Sequence, residues 1–188
     1  MVSKKKMTIL ITVCAAMIAL QIIFERYLSI SIPPASPIFR VSFTFIPRAI
    51  TGMCLGIVFG CICSGIADLV GSFLFYASVN PIISLAAIIR GGLFAWLYKG
   101  GKKPSLLKVI ITSFLSEFLC GGVITTIGLI LFNGAPNTWQ YWGGRCLQVS
   151  LTFVVEIFVL QLCSKYVFPP VRSYLNRIGF FDSEGSRE

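Results

Sequence analysis

Long apolar runs constrain the fold of this chain more than any other feature of its sequence. They recur at lengths near 20 residues, which is what an α-helix needs to cross the hydrocarbon core of a bilayer. Only 12% of the residues are charged and the mean hydropathy is +0.86, whereas a soluble domain carries about 25% charged residues. The sequence therefore predicts an all-α membrane protein.

We predict a single domain, residues 1–188, built from six transmembrane helices. The spans are about 7–28, 42–59, 61–77, 81–98, 106–132 and 141–168. A tight turn near Gly60 separates the second span from the third, and Asn80-Pro81 opens the fourth as a capping residue followed by proline. Pro169-Pro170 is expected to end the sixth span and to leave 169–188 as a frayed polar tail.

The basic residues predict the orientation of these spans. With a cytoplasmic N-terminus, six spans place every lysine on the inner side, as the positive-inside rule requires. Both termini are then cytoplasmic, in a multi-pass protein of the cell membrane. The same distribution explains the net charge of +9 by topology and membrane lipid rather than by nucleic-acid binding. The basic residues that remain outside the inner side are all arginines: Arg26, Arg40, Arg48, Arg90 and Arg145.

Charged residues also lie inside the predicted spans, where a lone charge near the bilayer centre costs about 3 kcal/mol and needs a partner, water or a ligand. The acidic ones are Glu25, Asp68, Glu117 and Glu156. The predicted orientation places Glu25 and most of the arginines in the outer half and Asp68, Arg90, Glu117 and Glu156 near the middle. The sequence therefore predicts a pocket that opens outward and captures a small solute.

The types of charged residue indicate what the solute looks like. An arginine holds a carboxylate or phosphate with two parallel hydrogen bonds, which favours an anion. Asp68 can accept hydrogen bonds from an amino-heterocyclic edge. We favour ligand binding for Asp68, Arg90 and Arg145, and structural pairing with Arg90 or Arg48 for Glu117 and Glu156. Arg145 and Gln148 should share one helix face.

Other residues leave two interpretations open. Trp139, Tyr141 and Trp142 are placed either as an interfacial aromatic belt or as a stacking wall of the pocket. Glu25 and Arg26 either bind the ligand or reach out to the headgroups.

Small residues recur at four-residue spacing in two places and predict close helix packing. Gly52, Gly56 and Gly60 are expected to pack inside the protein, and Ala15 and Ala19 repeat the pattern on the first helix.

The sequence offers little for catalysis. There is no histidine, and the seven cysteines form no pair at metal-ligand or redox spacing, so we predict no catalytic residues, no metal site and no cofactor. A small membrane enzyme would need clustered acids, and a stand-alone secondary carrier would normally show two repeated halves. The segment around Lys102 lacks the spacing of an ATP-binding loop.

The order of these features resembles the substrate-binding S components of energy-coupling factor (ECF) vitamin transporters, and most closely their folate-specific members. The resemblance rests on the motifs Arg26-Tyr-Leu-Ser-Ile30, Phe43-Thr-Phe-Ile-Pro47, the glycines from Gly52 to Gly60, Ile66-Ala-Asp-Leu-Val-Gly71, residues 85–98 and Gly144-Arg145.

The resemblance implies a non-enzymatic subunit that binds folate in an outward pocket covered by the first loop. It also implies docking through Ala15 and Ala19 onto a transmembrane coupling T component, driven by two cytoplasmic ATPases that use the ATP. Another vitamin, or a stand-alone secondary transporter, is the alternative. The predicted ligand-binding residues are Arg26, Asp68 and Arg145 from the matched motifs, and Arg90, Trp142 and Phe39 from position and chemistry.

Overall fold

The computed structural model describes residues 4–28, 30–31, 40–76, 79–98 and 104–177. Its helices are α1 (Lys4–Arg26), α2 (Phe45–Tyr76), α3 (Pro81–Leu97), α4 (Leu106–Phe114), α5 (Thr125–Asn133), α6 (Trp139–Tyr166) and α7 (Phe168–Arg177), with a π-helical segment, Leu115–Ile124, joining α4 to α5. Two short strands, β1 (Ile30–Ser31) and β2 (Arg40–Val41), pair antiparallel between α1 and α2. The predicted all-α class is confirmed apart from this strand pair.

Four helical stretches of the described chain are long and apolar enough to cross a membrane. They are Met7–Arg26, Phe45–Phe75, Leu106–Asn133 and Trp139–Tyr166. A shorter apolar helix, Pro81–Leu97, has 17 residues and a length of about 25 Å. Two of the six predicted spans therefore fall within the single element α2, and the count of six stays a prediction.

The predicted turn near Gly60 is wrong, because α2 breaks at Gly56. Gly56 has φ 77° and ψ −175°, a backbone conformation that residues with a Cβ rarely adopt. The packing prediction holds for the other two glycines of the motif: a Cβ at Gly52 would overlap the backbone of Ala95, and one at Gly60 would lie 2.8 Å from the Ala95 Cβ. Gly56 itself meets nothing within 4 Å, so it breaks the helix instead of packing.

Helix α3 lies against α2 along most of its length. Gly91 packs on Gly60 and Ser64, and Ile88 fills the space beside Gly65. The start of α3 is set by Asn80, whose side chain accepts hydrogen bonds from the amides of Ile82 and Ile83 ahead of Pro81. This capped start confirms the prediction from Asn80-Pro81.

The long helix from α4 to α5 confirms the extent of the fifth span but not its regularity. Ten residues in its middle, Leu115–Ile124, are π-helical. The wider turn of a π-helix shifts backbone hydrogen bonds from i→i+4 to i→i+5 and leaves carbonyl groups open to side chains.

The prediction of a frayed tail after Pro169-Pro170 is wrong as far as Arg177. Helix α7 begins at Phe168 and carries both prolines in its first turn, where the missing N–H groups would have no helical acceptor in any case. Phe168 packs edge-on against Tyr98 at 4.6 Å between ring centroids. The contact joins α7 to an apolar core that also contains Phe45, Phe94 and Leu160.

Candidate ligand-binding site

The buried charges fall into two groups. Glu25, Arg26, Arg48 and Asp68, from α1 and α2, form what we term the Asp68 cluster. Arg90 of α3, Glu117 and Gly121 of the π-helical segment, and Arg145 of α6 form the Gly121 cluster. Arg48 interacts electrostatically with members of both groups, namely Glu25, Asp68, Arg90 and Glu117. The two clusters are therefore neighbours inside one bundle.

Asp68 lies in the second half of α2 and is only 4% exposed. Its Oδ2 accepts a hydrogen bond from Ser84 Oγ at 2.7 Å. Ser84 reaches this position because the Asn80 cap starts α3 one turn earlier. No other hydrogen bond to Asp68 forms among the residues that the structure describes, so Oδ1 can still accept one from a ligand.

Arg26 ends α1 beside the same part of α2. Its Cζ lies 5.5 Å from the centroid of the Phe75 ring, a cation–π contact, and a Cβ at Gly71 would lie 3.3 Å from its Nη2. Arg26, Glu25 and Arg48 all interact electrostatically with Asp68. Arg26 and Asp68, which the sequence predicts as ligand-binding residues, are thus brought together.

Arg90 is held by the π-helical segment. Its Nε donates to the carbonyl of Ser116 at 3.2 Å, and its Nη2 lies 3.6 Å from Glu117 Oε1. Gly121 makes room for the guanidinium, since a Cβ there would overlap Arg90 Nη2. The pairing of Glu117 with Arg90, one of the options left open by the sequence, is confirmed.

Arg145 approaches Gly121 from the other side. Its Nη2 donates to the Gly121 carbonyl at 2.9 Å, its Nη1 to Gln148 Oε1 at 2.7 Å, and its Nε to Thr126 Oγ1 at 3.2 Å. The shared face of Arg145 and Gln148 is confirmed. Every nitrogen of this guanidinium therefore donates to the protein.

Glu156 is buried next to the Gly121 cluster and is 1% exposed. Glu117 and Ser113 are its nearest polar neighbours, and Arg90 interacts with it electrostatically. Neither carboxylate oxygen has a hydrogen bond within the described part of the chain. Arg90 therefore forms an ion pair with Glu117 and interacts with Glu156 without a direct ion pair.

Arg48 is the charged residue that the sequence did not assign to the site. It lies in the first turn of α2 and is 6% exposed. Its guanidinium forms no hydrogen bond and no ion pair with the residues that the structure describes. Its position directly after Pro47 in a matched motif was the available signal.

The other predicted residues are dispersed or lie outside the described ranges. Trp142 donates from Nε1 to Asn137 Oδ1 at 3.0 Å, at the start of α6. Trp139 is 92% exposed, which fits an interfacial belt better than a pocket wall. Ala15 and Ala19 are exposed on α1. Phe39 and the rest of 32–39 lie outside the described residues.

A cavity of about 280 Å³ lies between the beginning of α4 and the end of α6. Its lining residues are Pro104, Leu106, Val109, Gln161, Ser164 and Lys165. None of the predicted ligand-binding residues lines it, and Lys165 belongs to the inner side in the predicted orientation. We therefore place the candidate site at the charged clusters.

Comparison with known proteins bears on both fold and site. A family model described as "ECF transporter, substrate-specific component" matches residues 7–162. The folate transporter FolT of Clostridium novyi (strain NT) is 31% identical over 172 residues, which cover 90% of this chain and 86% of the relative.

Two solved structures share the fold. The crystal structure of FolT bound with folic acid superposes with a TM-score of 0.71 at 26% identity, covering 80% of this chain and 88% of that one. The S component of a bacterial ECF transporter superposes with a TM-score of 0.58 at 15% identity, covering 86% and 98%. The second likeness concerns the fold alone.

Proposed function

This chain belongs to the family of ECF transporter substrate-specific components, and from that premise we propose that it binds folate outside the cell and delivers it into an ECF-type importer. The observation that carries the choice of ligand is the similarity over 90% of the chain to a folate transporter. The match to a structure with bound folic acid supports the same ligand.

The Asp68 cluster has the chemistry that a pterin ring requires. A pterin carries a 2-amino group and a ring N–H on one edge, and a buried carboxylate is a natural acceptor for both. Asp68 is held in place by Ser84 through one oxygen, which fixes its orientation and leaves the other oxygen for the ring. Arg26 lies beside it as a further proposed contact, and folate's glutamate tail adds carboxylates that another arginine can hold. Arg90, Arg145, Trp142 and Phe39 remain proposed contacts.

The proposed topology has six spans, cytoplasmic termini and a pocket that opens outward. Lys108 at the beginning of α4 and Lys165 at the end of α6 support the orientation, since both then lie on the cytoplasmic side.

The proposed partners are a transmembrane coupling subunit and two cytoplasmic ATPases, which would supply the energy from ATP. Ala15 and Ala19 form the proposed docking stripe. This proposal is supported by the exposure of both side chains on α1. Small residues there would allow a partner helix to approach closely.

The direct test is ligand binding by the purified protein in detergent micelles. Tryptophan fluorescence or calorimetry with a panel of vitamins should show saturable binding of folate in preference to the others. Saturable binding of a different vitamin would overturn the choice of ligand, and no binding of any vitamin would overturn the proposed function.

The coupling step has its own test in cells. Folate uptake should require coexpression of the coupling subunit and the ATPases with this chain. Uptake by this chain alone would instead indicate a stand-alone carrier.

A further inference from the structure

We propose that Arg48 reads the acceptor edge of the ligand's heterocycle, next to the edge that Asp68 reads. This inference rests on the proposed function and adds a specificity-determining residue to it. In folate the relevant acceptors are the 4-oxo group and ring nitrogen N5, which lie next to each other on the pterin.

The first reason is that the buried Nε of Arg48 has no acceptor among the residues that the structure describes. A guanidinium has five N–H donors, and burial without acceptors is costly. Arg48 is 6% exposed, and its buried Nε has no acceptor in the described part of the chain. A cation in the first turn of a helix also opposes the helix dipole. Arg48 therefore occupies a place where stability alone would not keep an arginine.

The second reason is that Arg90 and Arg145 are already occupied by hydrogen bonds to the protein. Arg145 donates from all three nitrogens to Thr126, Gln148 and the Gly121 carbonyl. Arg90 is bound to the Ser116 carbonyl and to Glu117. A ligand that bound either of them would have to replace contacts that already exist, whereas Arg48 can donate without breaking any described hydrogen bond.

The third reason is position. Arg48 and Asp68 are close enough to interact electrostatically, so both can reach one ring system. The extended tail of folate carries its carboxylates away from the ring, and a residue beside Asp68 is therefore better placed for the ring than for the tail.

The chemistry of the match has a well-known parallel in nucleic-acid recognition. Arginine commonly holds guanine through two hydrogen bonds to O6 and N7, an adjacent carbonyl oxygen and ring nitrogen. The 4-oxo group and N5 of a pterin present the same pair of acceptors. A planar fork of donors suits this pair, and a lysine does not.

The experiment compares three ligands on the purified full-length protein and on Arg48→Gln. Folic acid is the complete ligand, pteroic acid lacks the glutamate tail, and 5-deazafolic acid has a C–H group in place of the ring nitrogen N5 while keeping the 2-amino group and ring N–H that face Asp68. The unmodified protein is measured first. If it binds none of the three, the proposed function fails, and the result is distinct from a failure confined to Arg48.

We expect the unmodified protein to prefer folic acid to 5-deazafolic acid by at least tenfold. Arg48→Gln should weaken the binding of folic acid and of pteroic acid equally, by at least tenfold, and should remove most of the preference over 5-deazafolic acid. A loss of affinity for folic acid but not for pteroic acid would assign Arg48 to the glutamate tail and overturn the inference. Unchanged affinities, or a preference that survives the substitution, would overturn it as well.

Arg48→Lys keeps the charge without the fork, and it serves if Arg48→Gln does not fold. Elution as a single species on size exclusion and a thermal transition establish folding of each variant. Arg48→Lys should also lose the preference for folic acid over 5-deazafolic acid, and retention of the full preference would contradict recognition by a planar fork.

Discussion

The Asp68 cluster and the Gly121 cluster contain the same residue types, but they differ in how completely the protein satisfies them. In the Gly121 cluster Arg145 donates from every nitrogen to the protein, and Arg90 is bound to a carbonyl and a carboxylate. In the Asp68 cluster Asp68 uses one oxygen, and Arg48 uses none of its donors among the described residues. Because buried polar groups are normally hydrogen-bonded, the difference supports the proposal of a ligand at the Asp68 cluster, whereas Arg90 and Arg145 could contact a ligand only by giving up bonds to the protein.

The largest expected effect that tests this comparison is on stability, from Arg90→Met. The substitution removes the cation beside Glu117 and leaves Glu117 and Glu156 as adjacent buried carboxylates. The free energy of unfolding should fall by about 3–5 kcal/mol, measured by reversible unfolding in mixed micelles. Arg48→Met is the matched comparison and should cost less, since Arg48 forms no described hydrogen bond or ion pair. Equal losses would contradict the distinction between the clusters.

Gly121→Ala tests how tightly the Gly121 cluster is packed. The added Cβ would overlap Arg90 Nη2 and lie 3.3 Å from Glu117 Oε2. Arg90 cannot move aside without loosening its contacts, so we expect a loss of about 2 kcal/mol in unfolding free energy.

Gly122→Ala is the control for that substitution, on the same π-helical segment. Its Cβ would meet the Glu117 carbonyl oxygen at 3.6 Å and Val149 Cγ2 at 3.8 Å, which are ordinary contacts. Gly122→Ala should leave the free energy of unfolding unchanged. An equal decrease in this free energy in both variants would mean that displacement of Arg90 is not the cause.

Asp68→Asn tests the other cluster, with affinity as the readout. The folate dissociation constant should rise more than tenfold, about 1.4 kcal/mol, because a ligand donor would face an amide in place of a carboxylate. Stability should change little, since the amide oxygen still accepts from Ser84. Glu156→Gln neutralises a buried carboxyl outside the proposed site and should leave affinity unchanged. An unaltered affinity in Asp68→Asn would remove Asp68 from the site.

The smallest expected effect comes from Thr126→Val, which removes the hydroxyl that accepts from Arg145 Nε. Hydrogen bonds between membrane helices contribute about 0.6 kcal/mol on average, so unfolding should become easier by about that amount. Thr12→Val, whose exposed hydroxyl only donates back to the Thr8 carbonyl on α1, should show no change. A loss well above 1 kcal/mol at Thr126 would mean that the three bonds of Arg145 act cooperatively.

Features that depend on local sequence were predicted well. The apolar runs located the long helices to within a few residues, and Asn80-Pro81 located the start of α3. Arg145 and Gln148 were placed together by their spacing on one helix. Each of these depends on residues close in the chain, where helix geometry fixes the relation between side chains.

Features that depend on neighbouring helices were predicted poorly. Gly52, Gly56 and Gly60 look alike in the sequence, yet only Gly52 and Gly60 face Ala95, and Gly56 takes a positive φ. The π-helical segment has no clear local signal beyond the pair Gly121-Gly122, and its contacts with Arg90 come from a different helix, α3. The proline pair at 169 and 170 was predicted to end the sixth span, and α6 does end at Tyr166, but the same prolines also begin α7, for which proline is equally suited.

By itself, the sequence determined that this chain is built of apolar helices with charged residues inside them. Hydropathy is a property of each residue and does not depend on which helices lie next to it. Only the tertiary structure decided which of those charged groups have hydrogen-bond partners in the protein. A guanidinium needs acceptors at hydrogen-bond distance and in its own plane, and these come from whichever helices lie next to it. Arg48, Arg90 and Arg145 are equivalent as letters in the sequence, and only the packing of the helices leaves Arg48 without acceptors among the described residues.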